Sequence, residues 1–142
     1  MTTYYELISF LDGLINKPIS EENVAILNSA NVSLTKDRYV RFIEQVNYLL
    51  TTRLRNSMDK VIDTVCERYL EPNELILELN NIRMEIAYMQ KIVCTKLIKE
   101  ENQKQFMVSL VKNNNEIFEE IKRLYTDEEF IIIIDGYFIK EN

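Results

Sequence analysis

Glu67, Glu71, Glu74 and Glu78 recur at intervals of four, three and four residues on either side of Pro72. On a helix this spacing stacks carboxylates along one face, where they would gather a cation or shift one another's pKa. Polar neighbours make an ordinary solvated face the commoner fate of such a run. A second group is basic. "LLTTRLRNSMDK" at 49–60 sets Thr51 and Thr52 beside Arg53 and Arg55, with Lys60 following and Lys36, Arg38 and Arg41 upstream. Hydroxyls and guanidiniums at a helix start hold phosphate, provided Thr52 caps a new helix. Asp37, Glu44, Asp59 and Asp63 interleave with these bases, which is also the pattern of a mixed surface.

Other chemistry is excluded by composition. The chain has no histidine, which removes Ser-His and Cys-His nucleophile pairs and the Glu-x-x-His ligation of di-iron bundles. Gly13 and Gly136, its only glycines, lie too far apart for a phosphate-cradling loop. Cys66 and Cys94 are widely separated and make no zinc site. Both fall on apolar helical patterns and read as reduced core cysteines. The expectation is no catalysis, no metal and no cofactor.

The elements that must position these residues read as helices. The chain has 142 residues, 46% hydrophobic and 28% charged, enough for one domain with a single core. Two glycines and two prolines are too few for the turns of an all-β fold. Thr3 stands three residues before Glu6, a capping-box spacing. Leu7, Ile8, Leu11, Leu14 and Ile15 then form a stripe that Pro18 stops. Ser20 is an N-cap candidate for a second, short helix. From Thr35 a stripe runs through Tyr39, Ile43, Val46, Leu50, Leu54, Met58, Val61 and Val65 to Tyr69. Thr51-Thr52 either breaks it into two helices or lies inside one. Leu75, Leu79, Ile82, Ile86, Met89 and Val93 alternate by four and three as a heptad seam. A fifth stripe, from Met107 to Tyr125, carries Asn114 at a seam position. That residue is either a buried register-fixing amide or a rotated, exposed one, and its asparagine neighbours favour exposure.

"TDEEFIIIIDGYFIKEN" at 126–142 admits two readings. Asp135-Gly136 between apolar runs suits a two-residue hairpin turn. Thr126, three before Glu129, with Asp127 and Glu128 in the first turn, suits a capped helix. Residues 3–17 and 126–140 align without gaps and share Thr, Glu, Ile, Asp, Gly and Lys. The first copy reads as helix, so the second is expected to be one.

A family resemblance rests on "LTTRLRNSMDKV" followed by "NELILELNNIRMEIAY", residues 50–61 and 73–88. These stretches resemble the small all-helical subunit of type III-A CRISPR effector complexes. The resemblance implies that Thr51, Thr52, Arg53, Arg55 and Arg83 contact the backbone of guide or target RNA. The chain departs from that pattern after Tyr88, where Met-Gln-Lys replaces the usual Ala-Gly-Arg. It also has a shorter middle, a longer N-terminal region and an acidic tail.

The expected architecture is all-α: a compact bundle of five or six helices in a single domain over 1–142, with a C-terminal helix or, alternatively, a short β-hairpin. Net charge is −6, with the excess acid at both ends of the chain. An acidic body repels bulk nucleic acid. The leading expectation is therefore a non-enzymatic protein-interaction module: an adaptor, inhibitor or regulatory subunit with an unidentified protein partner. Its apolar face would comprise Ile131, Ile134, Tyr137 and Phe138. A tail helix apolar nearly all round also suggests a homodimer. RNA enters only under the alternative, CRISPR-type reading. No secretory signal opens the sequence, and no apolar run reaches the roughly 20 residues of a membrane span. A cytoplasmic protein, of a bacterium or of an infected host cell, is the expectation, and runs rich in Asn, Ile and Lys suit an AT-rich coding source such as a phage, a virus or a low-GC bacterium.

Overall fold

Six stretches close their own backbone hydrogen bonds as α-helices in the computed structural model, which describes residues 1–141. They are α1 (Tyr4–Leu14), α2 (Glu21–Asn28), α3 (Lys36–Glu67), α4 (Pro72–Val93), α5 (Glu100–Lys122) and α6 (Glu128–Asp135). Among the described residues there is no strand, so the C-terminal stretch is a helix and not a hairpin. Among these described residues no helix is long and apolar enough to cross a membrane.

Local chemistry sets most helix starts. The Thr3 hydroxyl accepts from Glu6 N–H, Ser20 from Asn23 N–H and Thr35 from Arg38 N–H. Glu71 and Glu74 form a capping box at α4, with Pro72 at its first position. The start of α6 departs from expectation: Asp127, not Thr126, is the N-cap and accepts from Glu129 N–H at 3.0 Å. A carboxylate reaches that amide with a charge that favours the helix N-terminus. The helix also stops at Asp135, earlier than the repeat with α1 implies, so Phe138 and Ile139 follow it as non-helical chain.

Thr51 and Thr52 lie inside α3, a single helix of 32 residues. The Thr51 hydroxyl donates to the Asn47 carbonyl at 2.8 Å, and so stays on its own helix instead of breaking it. Every seam residue from Leu75 to Val93 is buried. Helix α4 packs against α2, α3, α5 and α6, so the seam is covered by its own chain. Helix α1 covers the outer side of α3. The equivalence of the two ends is physical: Leu7, Leu11 and Leu14 are buried in α1, and Phe130, Ile134 and Tyr137 at the same alignment positions.

Two assignments are corrected. Asn114 is 2% exposed, and its amide donates to Asn115 Oδ1 at 3.0 Å and to the Tyr137 carbonyl at 3.4 Å. The segment after α6 covers it, and no local pattern announces that cover. Cys66 and Cys94 are free, but both are exposed: Cys66 lies at the end of α3 and Cys94 caps α4, just beyond their buried stripes.

Candidate functional site

Helix α4 returns the chain between α3 and α5 through short connections, so α3 and α5 run in the same direction. An open groove of about 550 Å³ runs between them. From α3 it is lined by Thr51, Leu54, Arg55, Met58, Asp59 and Ile62, and from α5 by Asn113, Glu116, Ile117, Glu119, Glu120 and Arg123. Steps of three and four residues place each set along one side of its helix. Leu54, Met58 and Ile117 are buried and form the apolar floor.

The rim is acidic. Asp59, Glu116, Glu119 and Glu120 face Arg55 and Arg123. Arg123 Nη1 donates to Glu120 Oε2 at 2.9 Å, which neutralises that pair locally. Arg55 then shares the groove with three other carboxylates. Glu116 and Glu119 stand on a ridge, because they also border a second groove of about 570 Å³, with Met107, Val111 and Phe138 on its apolar side.

The residues expected to hold phosphate do not form one site. Arg53 is 6% exposed: its Nε pairs with Glu85 Oε1 at 2.8 Å and its Nη1 donates to the Ile15 carbonyl at 3.2 Å. The expectation of a surface guanidinium at 53 is therefore corrected, because Glu85, itself buried, draws it inward. Thr52 is half-buried within α3 and caps no helix. Arg83 is exposed but engaged with the chain after α6. Its Nη2 donates to the Gly136 carbonyl at 2.8 Å, and its guanidinium lies 4.2 Å from the centre of the Tyr137 ring. Only Thr51 and Arg55 share a surface, and it is the acidic groove.

The expected apolar face at the C-terminus is largely internal. Ile134 is fully buried, and the Tyr137 hydroxyl donates to Asn80 Oδ1 at 2.6 Å. Phe138 packs beside Phe118 with ring centres 6.4 Å apart, and Ile131 is half-buried. The core consumes the apolar supply that pointed to self-association through this face. Of the four clustered glutamates, Glu74 is bound to Arg68 at 2.8 Å and to the Glu71 N–H at 3.2 Å. Its carboxyl is held below the usual range by Arg68 first and that N–H next. Among the described residues no group of three or more Cys, Asp or Glu side chains is arranged to hold a metal ion.

Sequence reading missed the groove's carboxylates on α5. The available signal was Glu116, Glu119 and Glu120 at helical spacing beside Ile117, in phase with Asp59 and Met58 only once α3 and α5 lie side by side. The chain matches no protein-family model, no curated protein and no solved structure.

Proposed function

We propose that the protein is a non-enzymatic interaction module, an adaptor, inhibitor or regulatory subunit, that seats a basic amphipathic helix of a partner protein between α3 and α5. The observation that carries this reading is the groove itself: an apolar floor of Leu54, Met58 and Ile117 under a rim where carboxylates outnumber guanidiniums. An amphipathic helix laid in an apolar groove is a recurrent recognition mode, with anchors at helical spacing. Thr51 to Ile62 covers three turns, about 17 Å of helix, so the groove matches a partner segment of that length. Complementary charge sets the register and speeds encounter. RNA is disfavoured at the same place, since Asp59, Glu116 and Glu119 line the same groove as Arg55.

The test places a photo-crosslinking residue at Thr51, on the exposed rim, and irradiates an extract of the native source. One stoichiometric adduct is expected, joined through a peptide that is basic and helically amphipathic. Glu116→Lys with Glu119→Lys should abolish it. RNA that co-purifies instead and disappears with Arg55→Ala would replace this reading with the RNA-contacting one.

A further inference from the structure

One turn beyond Ile62 on α3, and directly after Arg123 on the α5 side, Val65, Tyr69, Leu124 and Tyr125 open onto a smaller recess of about 250 Å³. Three aromatic rings shape it. Tyr125 stacks on Phe130 with centres 4.8 Å apart and planes 10° apart, and Tyr69 meets Phe130 edge-on at 5.9 Å and 82°. Phe130 is buried, whereas Tyr69 is 67% exposed and forms the open wall. The Tyr125 hydroxyl oxygen is buried without a hydrogen-bond partner. A phenol hydroxyl both donates and accepts, and this one is closed off from the open recess.

Asp127 lines the recess. The Tyr69 phenol is held above its ordinary pKa by desolvation first, then by the charges of Glu71, Asp127 and Glu129. Arg68 also lines the recess, but its guanidinium is bound to Glu74 at 2.8 Å. The open Tyr69 ring and the local carboxylates together fit a cationic head. Cations are attracted to such rings within about 6 Å of their centres. The chain uses the same pairing internally, with Arg83 over Tyr137 at 4.2 Å and Arg38 over Tyr4 at 4.9 Å.

We propose that this recess receives an arginine or lysine side chain of the partner protein, with its head against the exposed Tyr69 ring and near the Asp127 carboxylate. The proposal rests on the protein-interaction reading above and names the chemistry of the partner's anchor. The recess lies beyond the end of the groove, so a helix seated there would carry this basic residue near one end.

Free amino-acid amides test the recess without a partner. Ring signals of the full chain are followed by NMR during titration with Nα-acetyl-arginine amide, Nα-acetyl-lysine amide and uncharged Nα-acetyl-citrulline amide. At least one cationic amide should give saturable shifts at Tyr69 and Tyr125, and citrulline should bind about tenfold more weakly or worse. Tyr69→Ala should cost a similar factor while Tyr69→Phe retains binding; circular dichroism confirms that both fold. Equal binding of citrulline, or no saturable shift with either cation, overturns the proposal. Failure here with a crosslink still formed at Thr51 removes only the anchor. A saturable cation response with no crosslink leaves the recess standing and removes the groove helix.

Discussion

Arg53 Nε lies 2.8 Å from Glu85 Oε1, and both side chains are more than nine-tenths buried. The pair joins α3 to α4 and also ties down the connection between α1 and α2. Arg53 Nη1 donates to the Ile15 carbonyl, Ile19 N–H donates to Glu85 Oε1 at 3.4 Å, and the Ser57 hydroxyl donates to Glu85 Oε2 at 2.6 Å. Removing one charge strands the other, so Arg53→Ala or Glu85→Ala should each cost about 3–5 kcal/mol in urea unfolding. Arg53→Met with Glu85→Leu should recover roughly half of that, since the Ile15 and Ile19 backbone groups still lose partners. Single variants within about 1 kcal/mol of wild type would show that the pair is not buried in solution.

Asn115 should govern the segment after α6. Its side-chain amide donates to the Ile139 carbonyl at 2.7 Å and accepts from Ile139 N–H at 2.8 Å, as a neighbouring strand would. Asn115→Ala removes both bonds and should cost about 1–3 kcal/mol. Hydrogen exchange at the Ile139 amide should accelerate strongly, while amides in the middle of α4 follow only the global loss. An unchanged Ile139 rate would mean that the tail is held by Tyr137 and Phe138 alone.

These two networks mark where the sequence stops being legible. Leu75 to Val93 could be read correctly because a heptad repeats locally, and Thr3 and Ser20 because a cap and its amide lie three residues apart. Arg53 finds Glu85 across 32 positions and Asn115 finds Ile139 across 24, so no window of helix length contains both partners. The tail was legible as a helix because residues 126–140 repeat the pattern of residues 3–17, whose helical stripe is clear. Its end was not, because Asn115 and Arg83 hold the backbone after Asp135 from other helices. The groove failed for the same reason: its floor and rim exist only where α3 meets α5.

Acid should destabilise the protein through its caps. Arg68 and the Glu71 N–H hold the Glu74 carboxyl below its usual 4.5, and the Thr3 hydroxyl does the same for Glu6. Folded-state values under unfolded ones give a stabilisation that is complete above pH 4.5 and lost as pH falls through the folded values. Lys122 has the opposite sign: Asp135 raises it above 10.5, so its contribution holds below that pH and fades as pH rises through the folded value. Urea midpoints measured against pH should therefore fall below pH 4.5 more gently in a Glu6→Gln, Glu74→Gln variant. A parallel curve would exclude these two carboxylates as the cause.

The isoleucine run separates burial from association within four residues. Ile134 is fully buried, whereas Ile132 is 64% exposed on the opposite side of α6. Ile134→Ala leaves a cavity in the core and should cost about 2–5 kcal/mol. Ile132→Lys touches no packed surface and should stay within about 0.5 kcal/mol of wild type. Self-association through this helix has only the Ile132 side available, because Tyr137 and Ile134 face inward. Sedimentation of wild type and Ile132→Lys at matched high concentration tests that route. A dimer that the lysine dissolves places the contact on the outer side of α6. A dimer that survives it must form elsewhere, and the exposed Leu77 and Met84 on α4 are then the next surface to change. A monomer in both cases means that the isoleucines were spent on folding, which is where the buried positions put them.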